Sequence, residues 1–384
     1  MDKLFFTDEH IMIRDMVREF ADTEITPVAR DLDEQGEFPT ALVNKMGELG
    51  LMGILIPEEY GGSGLDMVAF ATAIIELARA DASVAITMAA HTSLGSLPIL
   101  MFGSDEQKNT YLPKLATGEM LGAFGLTEPD AGSDAGATKT KAVRDGDEYV
   151  VNGGKIFITN AGKAGVLSFT SQVIENGKNM GIAAFSISTN TPGLEIGPKE
   201  KKMGWRASDT RQLFFKDMRI QATSILGTPA NGFKTFLKTL TSGRVSIGAL
   251  SIGTALGAYE RALAYSTERI AFGKPINNFQ SVGFKLADMA TKIEASKLLV
   301  FHAAWMKDQG LDITKEAAMA KLFASETAME VTTEAIQIHG GYGYVKEYDV
   351  ERFFRDAKIL EIGEGTSEIQ RLIISREILK GIQI

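Results

Sequence analysis

One carboxylate set between two glycines is the feature of this chain best suited to acid–base chemistry: Ile362-Gly363-Glu364-Gly365-Thr366-Ser367-Glu368-Ile369-Gln370. Glycine has no Cβ and tolerates backbone angles closed to other residues, so the main chain around Glu364 can approach a ligand closely while presenting one acid. Behind it Ile369, Leu372, Ile373 and Ile378 recur at helical spacing, with Thr366 or Ser367 placed to cap the helix. Glu364 therefore reads as a general base. On spacing alone, a solvated group ahead of a helix start is the commoner explanation, and the rest of the chain must decide.

Four other stretches could hold a ligand. Leu121–Asp134 is dense in small residues and hydroxyls, and Gly125, Gly132 and Ser133 leave backbone N–H groups free to meet a flat or anionic group. It lacks the Gly-Lys-Ser ending of a phosphate loop, and a structural turn explains it as well. Ile156-Phe157-Ile158-Thr159-Asn160 puts an aromatic ring and a hydroxyl on one face of a strand, as a stacked planar ligand would need and as ordinary core packing also would. Gln337–Tyr344 ends a helix in a glycine cluster, either a plain C-cap or a set of amides around a dinucleotide. Arg269–Pro275, with Gln280 beyond it, offers a guanidinium to phosphate oxygens or to a surface salt bridge.

Composition limits the alternatives. A net charge of -9 over 384 residues, with no dense Lys/Arg run, argues against nucleic-acid binding. The absence of cysteine excludes disulfides, thiolate metal sites, iron–sulfur clusters and a Cys nucleophile, and four histidines leave little for a metal centre. The N-terminus has neither the apolar core of a signal peptide nor an arginine-rich amphipathic pattern, which implies a cytoplasmic address. Ala82–Phe102 is uncharged, but His91, Ser93, Gly95 and Pro98 make it a buried helix rather than a membrane span.

The elements that must position these groups fall into three parts: a helical region over 1–120, a β region over 121–228 and a helical bundle over 229–384. Thr7 and the box Ser104-Asp105-Glu106-Gln107 start helices in the first. In the second, Asp145-Gly146, Asn152-Gly153 and Asn176-Gly177 separate β-branched and aromatic runs as hairpin turns, predicting antiparallel strands. Phe233–Arg269, Phe279–Gln309, Thr314–Ile338 and Thr366–Leu379 predict the four long helices of the third.

LTEPDAGSDA, KIFITN, RIAFGKPI, QIHGGYGY, RDAKI and EGTSEIQ occur together and in this order. Each is weak alone. Jointly they resemble the acyl-CoA dehydrogenase family, most closely its short-chain, butyryl-CoA-type branch, over essentially the whole chain. The resemblance implies an α+β fold with an N-terminal α-helical domain, a middle antiparallel β-barrel domain and a C-terminal four-helix bundle, assembled as a homotetramer built from two dimers. It implies FAD as cofactor, no metal, and electron-transferring flavoprotein as the partner that takes the electrons from a short- to medium-chain acyl-CoA.

Carried over by position, the resemblance has Phe124, Leu126, Thr127, Gly132 and Ser133 line the FAD, with Ser133 also near the CoA pantetheine. Phe157, Ile158 and Thr159 would flank the isoalloxazine. Arg269, Phe272 and Gln280, with Gln337, Ile338, His339, Gly340 and Gly341, would contact the FAD of a neighbouring subunit. Thr366, Ser367 and Glu368 would approach its adenosine half, and Thr241, Arg244 and Gly365 the substrate. The family's base is found either in the EGT motif, here Glu364, or directly before the arginine of the first bundle helix, here Gly243 before Arg244. Glu364 is thus the base. Two departures concern specificity: Thr241 stands where relatives commonly carry Asp, and Gly363 where short-chain relatives carry Tyr. The second leaves room for branched or cyclic acyl groups. An acyl-CoA oxidase-like enzyme and a catalytically inactive CoA-ester-binding homologue are the alternatives, the first opposed by the lack of a long C-terminal extension and the second by retention of Glu364.

Overall fold

The computed structural model describes residues 2–228 and 232–380, with the backbone alone at 2, 3 and 233–236. The 228/229 boundary and the side chain of Phe233 thus touch or lie outside the described residues. The N-terminal part is helical: α1 (Asp2–Phe5), α2 (Asp8–Phe20), α3 (Ala29–Gln35), α4 (Thr40–Glu48), α5 (Met67–Ala80), α6 (Ala82–Ala90), α7 (Leu97–Phe102) and α8 (Asp105–Thr117). Both expected caps form. Thr7 accepts from the His10 amide, and Ser104 and Gln107 exchange hydrogen bonds in a capping box. The uncharged stretch is interrupted by a π-helical turn at His91–Ser96, and 83% of its most apolar window is buried inside the chain.

The middle part carries β1 (Leu121–Gly125), β2 (Lys141–Asp145), β3 (Glu148–Thr159), β4 (Ala164–Glu175), β5 (Lys178–Ser188), β6 (Leu194–Lys199), β7 (Thr210–Gln221) and β8 (Ile225–Leu226). The expectation of an antiparallel barrel is corrected in two ways. The sheet is open: its order is β6-β7-β3-β2-β4-β5-β8, and β6 and β8 do not pair. It is also mixed, because β1 and β2 both run parallel to β4. Hairpin turns identify neighbouring antiparallel strands but carry no information on closure. Here β8 is only two residues long, and β6 holds Gly197 and Pro198, as edge strands do.

Asn152-Gly153 is a second correction. It makes no turn; β3 runs through it as one strand, with the register against β7 shifting between Val151 and Gly153. Gly153 sits at φ 143°, where a Cβ would press within 2.6 Å of Thr140 Oγ1, and Asn152 instead pairs its amide with Asp217. A glycine pair signal here marks a bulge.

The C-terminal part holds α9 (Gly232–Glu268), a small hairpin of β9 (Ile270–Ala271) and β10 (Lys274–Pro275), α10 (Gln280–Asp308), α11 (Thr314–His339), α12 (Val350–Ala357) and α13 (Ser367–Leu379). Helices α9, α10 and α11 pack on one another, α13 lies on α11, and α5 lies along α9. The N-terminal helices and the bundle therefore share one core, in which Phe70, Ile74 and Leu77 join Val245, Leu250 and Val331. The sheet has its own core around Phe169, Phe185 and Phe215.

A buried ion pair crosses between these parts. Arg352 of α12 donates to Asp81 at 2.7 Å, and Asp81 also caps α6 by accepting from the Val84 amide at 2.9 Å. Both side chains are almost wholly buried. Removing one charge strands the other, so Arg352→Met is expected to cost ~3–5 kcal/mol of stability, read as a fall in the urea midpoint. Asp81→Asn in the same chain should restore part of it.

Candidate active site

Glu364 stands on the turn between the 3₁₀ stretch Lys358–Glu361 and α13. Its backbone is left-handed, at φ 52°, and Gly365 follows at φ 94°. A side chain at positive φ needs the surroundings to hold it there. They do so through the carbonyls: Gln370 Nε2 donates to Gly365 O at 2.8 Å and to Glu364 O at 3.3 Å, and Lys321 Nζ of α11 donates to Gly365 O at 2.8 Å. Thr366 caps α13, accepting from the Ile369 amide at 3.3 Å. Glu364 is thereby not the capping group, and its Oε2 is buried without a hydrogen-bond partner.

Three neighbours shape that carboxylate. A Cβ built on Gly243 would overlap Glu364 Oε2 and approach Leu94 Cδ2 at 3.4 Å, so only glycine leaves the acid its place. Arg244, buried on α9, donates to Thr241 Oγ1 at 3.4 Å while its Nε has no partner. Burial pushes the Glu364 carboxyl up to about 7, with Lys321 and Arg244 pulling it back. Lys321, fully buried, is brought down to about 8 by the same loss of water.

A second group forms where the glycine-rich loop meets β3. Lys155 Nζ, completely buried, pairs with Glu128 Oε1 at 2.7 Å and donates to Leu126 O at 3.1 Å. Glu128 also accepts from the Lys139 and Thr140 amides and from the Thr138 hydroxyl. The carboxyl is held at about 2: burial opposes this, but the Lys155 charge and the hydrogen bonds outweigh it. With the Ile156 amide donating to Thr127 O at 2.9 Å, the loop from Leu126 to Ser133 is pinned alongside Phe157–Thr159. Gly132 and Ser133 are exposed, Ile158 is in the sheet's core, and Phe157 is 64% exposed at φ 58°. Asn160 then ties the end of β3 to α6 through Thr87 O at 3.0 Å, and Gly122 of β1 packs against Gly95 of the turn that carries Leu94.

The third group is separate. Arg269, Ile338, His339, Gly340 and Gly341 line a cavity of about 500 Å³ with Tyr265, Ile276, Tyr342 and Val345. His339 stacks on Tyr265 at 4.3 Å and donates from Nδ1 to Ala335 O at 2.8 Å. Phe272 is 96% exposed on the β9–β10 turn and Gln280 exposed at the start of α10, both outside that cavity. Counted along α11, His339 is ~27 Å from Lys321 at the rise of an α-helix. The expected residues thus form two clusters in one chain, not one. Glu368 is exposed in the first turn of α13, its carboxyl held low by its own amide and by Thr366.

Residue patterns missed Lys321, Gln370 and the Glu128–Lys155 pair. A signal for Lys321 existed: it falls in register with Ala317, Ala324 and Ala328 on the buried face of α11, where a lone cation is out of place. The site fits a dinucleotide. Gly132, Gly340 and Gly341 have nothing within 4 Å of where a Cβ would stand, so a ligand can come close to the main chain there, and Ser367 Oγ and Gln370 Oε1 are buried without partners.

Family models match the chain in three consecutive segments: the acyl-CoA dehydrogenase N-terminal domain over 7–119, its middle domain over 123–218 and its C-terminal domain over 230–379. The chain belongs to the acyl-CoA dehydrogenase family, and FAD is its cofactor. Within the family it is closely related to the short-chain, butyryl-CoA-type enzymes. It is 54% identical to a probable acyl-CoA dehydrogenase of Bacillus subtilis over 97% of this chain and 99% of that one. The butyryl-CoA dehydrogenase of Megasphaera elsdenii superposes with a TM-score of 0.94 at 43% identity, covering 97% and 98% of the two chains. An acryloyl-CoA reductase (NADH) of Anaerotignum propionicum is 46% identical over 97% of this chain and 95% of that one.

The burial of Glu364 has a consequence for stability. Its folded carboxyl titrates above its ordinary value of 4.5, at about 7, so the folded state holds the proton longer and stability falls as pH rises between those values. Glu364→Gln has no such cost. Between pH 5 and pH 8 the wild type should lose on the order of 2 kcal/mol more than Glu364→Gln in urea unfolding without substrate. Parallel pH dependences would contradict a buried, unpaired acid.

Proposed function

We propose that Glu364 removes the α-hydrogen of a short- to medium-chain acyl-CoA as a proton, that the trans-2-enoyl-CoA is released, and that electron-transferring flavoprotein collects the electrons. The orphaned Oε2 of Glu364, buried against Gly243, carries this reading. FAD, when bound, supplies the acceptor for the β-hydrogen as hydride. The protein's part is to deliver a base in a water-poor place, where an acid poised at about 7 transfers protons in either direction near neutrality. The Glu364 N–H makes no hydrogen bond among the described residues, and is the donor proposed to steady the charge that develops on the thioester oxygen.

The loop from Phe124 to Ser133, with Phe157–Thr159, is proposed to hold the flavin of its own subunit, and Thr366–Glu368 its adenosine side. Gln337–Gly341, at the far end of α11 from Lys321, and Arg269, Phe272 and Gln280, between the end of α9 and the start of α10, are proposed to serve a neighbouring subunit in a homotetramer. Thr241 and Arg244 are proposed to face the substrate. A cytoplasmic location completes the proposal. A second reading comes from the reductase-named relative: the same site run backwards, with protonated Glu364 returning the proton to an enoyl-CoA. Rapid NADH oxidation with acryloyl-CoA would favour it.

Acyl selectivity is proposed to follow from Gly363. A Cβ there would meet only Ile359 O at 3.4 Å and Cγ1 at 4.0 Å, ordinary contacts, so nothing in the backbone demands glycine and the space beside the base is left open. Tyr344, which could have filled it, is 87% exposed. Butyryl-, isobutyryl-, hexanoyl- and cyclohexanecarboxyl-CoA should therefore all be turned over, and Gly363→Tyr should cut kcat/KM for the branched and cyclic esters by ~10-fold or more. Strict preference for butyryl-CoA, unchanged by the substitution, would end this part.

The base itself is tested by Glu364→Gln. FAD and CoA-ester binding should persist while flavin bleaching by substrate slows by at least ~10²-fold. Glu368→Gln should instead weaken FAD retention. The reverse pattern would exchange the two roles.

A further inference from the structure

We propose that Lys321 is a positioning residue for the base: its buried ammonium holds the Glu364 turn through the Gly365 carbonyl and keeps the Glu364 carboxylate ionisable. This rests on the reading of Glu364 as the base. Lys321 lies on α11 among Ala317, Ala320 and Ala324, with uncharged Ser325 one turn on, on a face closed to water. Among the described residues no carboxylate lies within ion-pair distance of its Nζ, and its hydrogen bond is to Gly365 O at 2.8 Å. Packing alone would be served by Leu or Met, which lose no hydration on burial, so the charge has to answer another charge.

The groups around it show which one. Facing Lys321 are Glu364 on the turn, Glu361 in the 3₁₀ stretch, Glu368 on α13 and, as a second cation, Arg244 on α9. Glu361 is paired with Lys358 at 2.6 Å, and Glu368 is exposed to water. Glu364 is the one with a carboxylate oxygen buried and lacking any partner. The mechanical role follows from the same atoms. Gly365 O takes donors from Lys321 and Gln370, both at 2.8 Å, which draws the carbonyl inward and leaves Glu364 in its left-handed conformation. Buried Lys321 titrates at about 8 and Glu364 at about 7, as two opposed groups sharing a dry site do.

Removing the cation makes the carboxylate harder to ionise, so the sign is fixed: the acid limb of activity moves to higher pH. The experiment follows anaerobic flavin bleaching by butyryl-CoA from pH 5.5 to 9 in FAD-loaded wild type, Lys321→Met, Lys321→Gln, Lys321→Arg and Glu364→Gln. The midpoint should rise by at least about 0.5 unit in the Met and Gln variants, roughly a threefold loss of rate on the acid side, and stay near wild type in Lys321→Arg. Lys321→Gln retains a donor for Gly365 O and so separates charge from tether, and it serves if the Met variant does not fold. Urea unfolding without substrate gives a second readout: the pH window over which the chain loses stability relative to Glu364→Gln should extend upward in the same variants. An unmoved acid limb in whichever neutral variant folds overturns the proposal. Wild-type bleaching by Glu364→Gln would instead remove the base reading beneath it.

Discussion

A carboxylate oxygen buried without a hydrogen-bond partner is costly, and the site is arranged around keeping one that way. Gly243 gives Glu364 Oε2 its space, and any side chain there would collide with the acid. Lys321 and Gln370 take up the carbonyls of Glu364 and Gly365, so the turn is fixed by bonds that leave the carboxylate itself unpaired. Thr366, not Glu364, caps α13. The backbone is thus satisfied and the acid is not, which is the condition for a base that water does not compete for.

The surrounding scaffold is organised by a few buried polar ties rather than by apolar packing alone. His91 is one: fully buried, it donates from Nε2 to Leu115 O at 3.0 Å and accepts the Gly122 amide at Nδ1 at 3.1 Å, linking α8 to the first strand. Burial brings its imidazole down to about 4, so it stays neutral and serves both partners over the physiological range. Glu128 and Lys155 do the same for the glycine-rich loop, and Asn160 for the end of β3. Each fastens a loop or a strand end to a rigid element, which fixes the position of the residues proposed to hold the flavin.

Much of this was legible in the residues. Helical periodicity, caps and short connectors placed the long helices of the bundle, because those signals are local. The Asx-Gly pairs at Asp145-Gly146 and Asn176-Gly177 are turns between paired strands, while the same pair at Asn152-Gly153 is a bulge, since its Asn side chain finds Asp217 across the strand. Sheet closure is not legible in the residues because it depends on whether two edge strands meet, and nothing local to β6 or β8 reports that. Parallel pairing of β1 and β2 with β4 was hidden for the same reason. The Gly-Glu-Gly turn announced the acid, but Lys321 and Gln370 act through space: one comes from a helix more than forty positions earlier, and the other points back along its own helix.

The most direct measurement of the central claim is exchange of the α-hydrogen itself, free of the hydride step. A CoA thioester that has α-hydrogens but no β-hydrogen to lose is incubated with the FAD-loaded enzyme in deuterated buffer, and α-deuterium uptake is followed from pH 5.5 to 9. If Glu364 is a base buried as described, uptake rises with pH through a midpoint near 7 and falls by at least ~10²-fold in Glu364→Gln. Uptake that ignores pH across this range, or that survives the substitution, would contradict it.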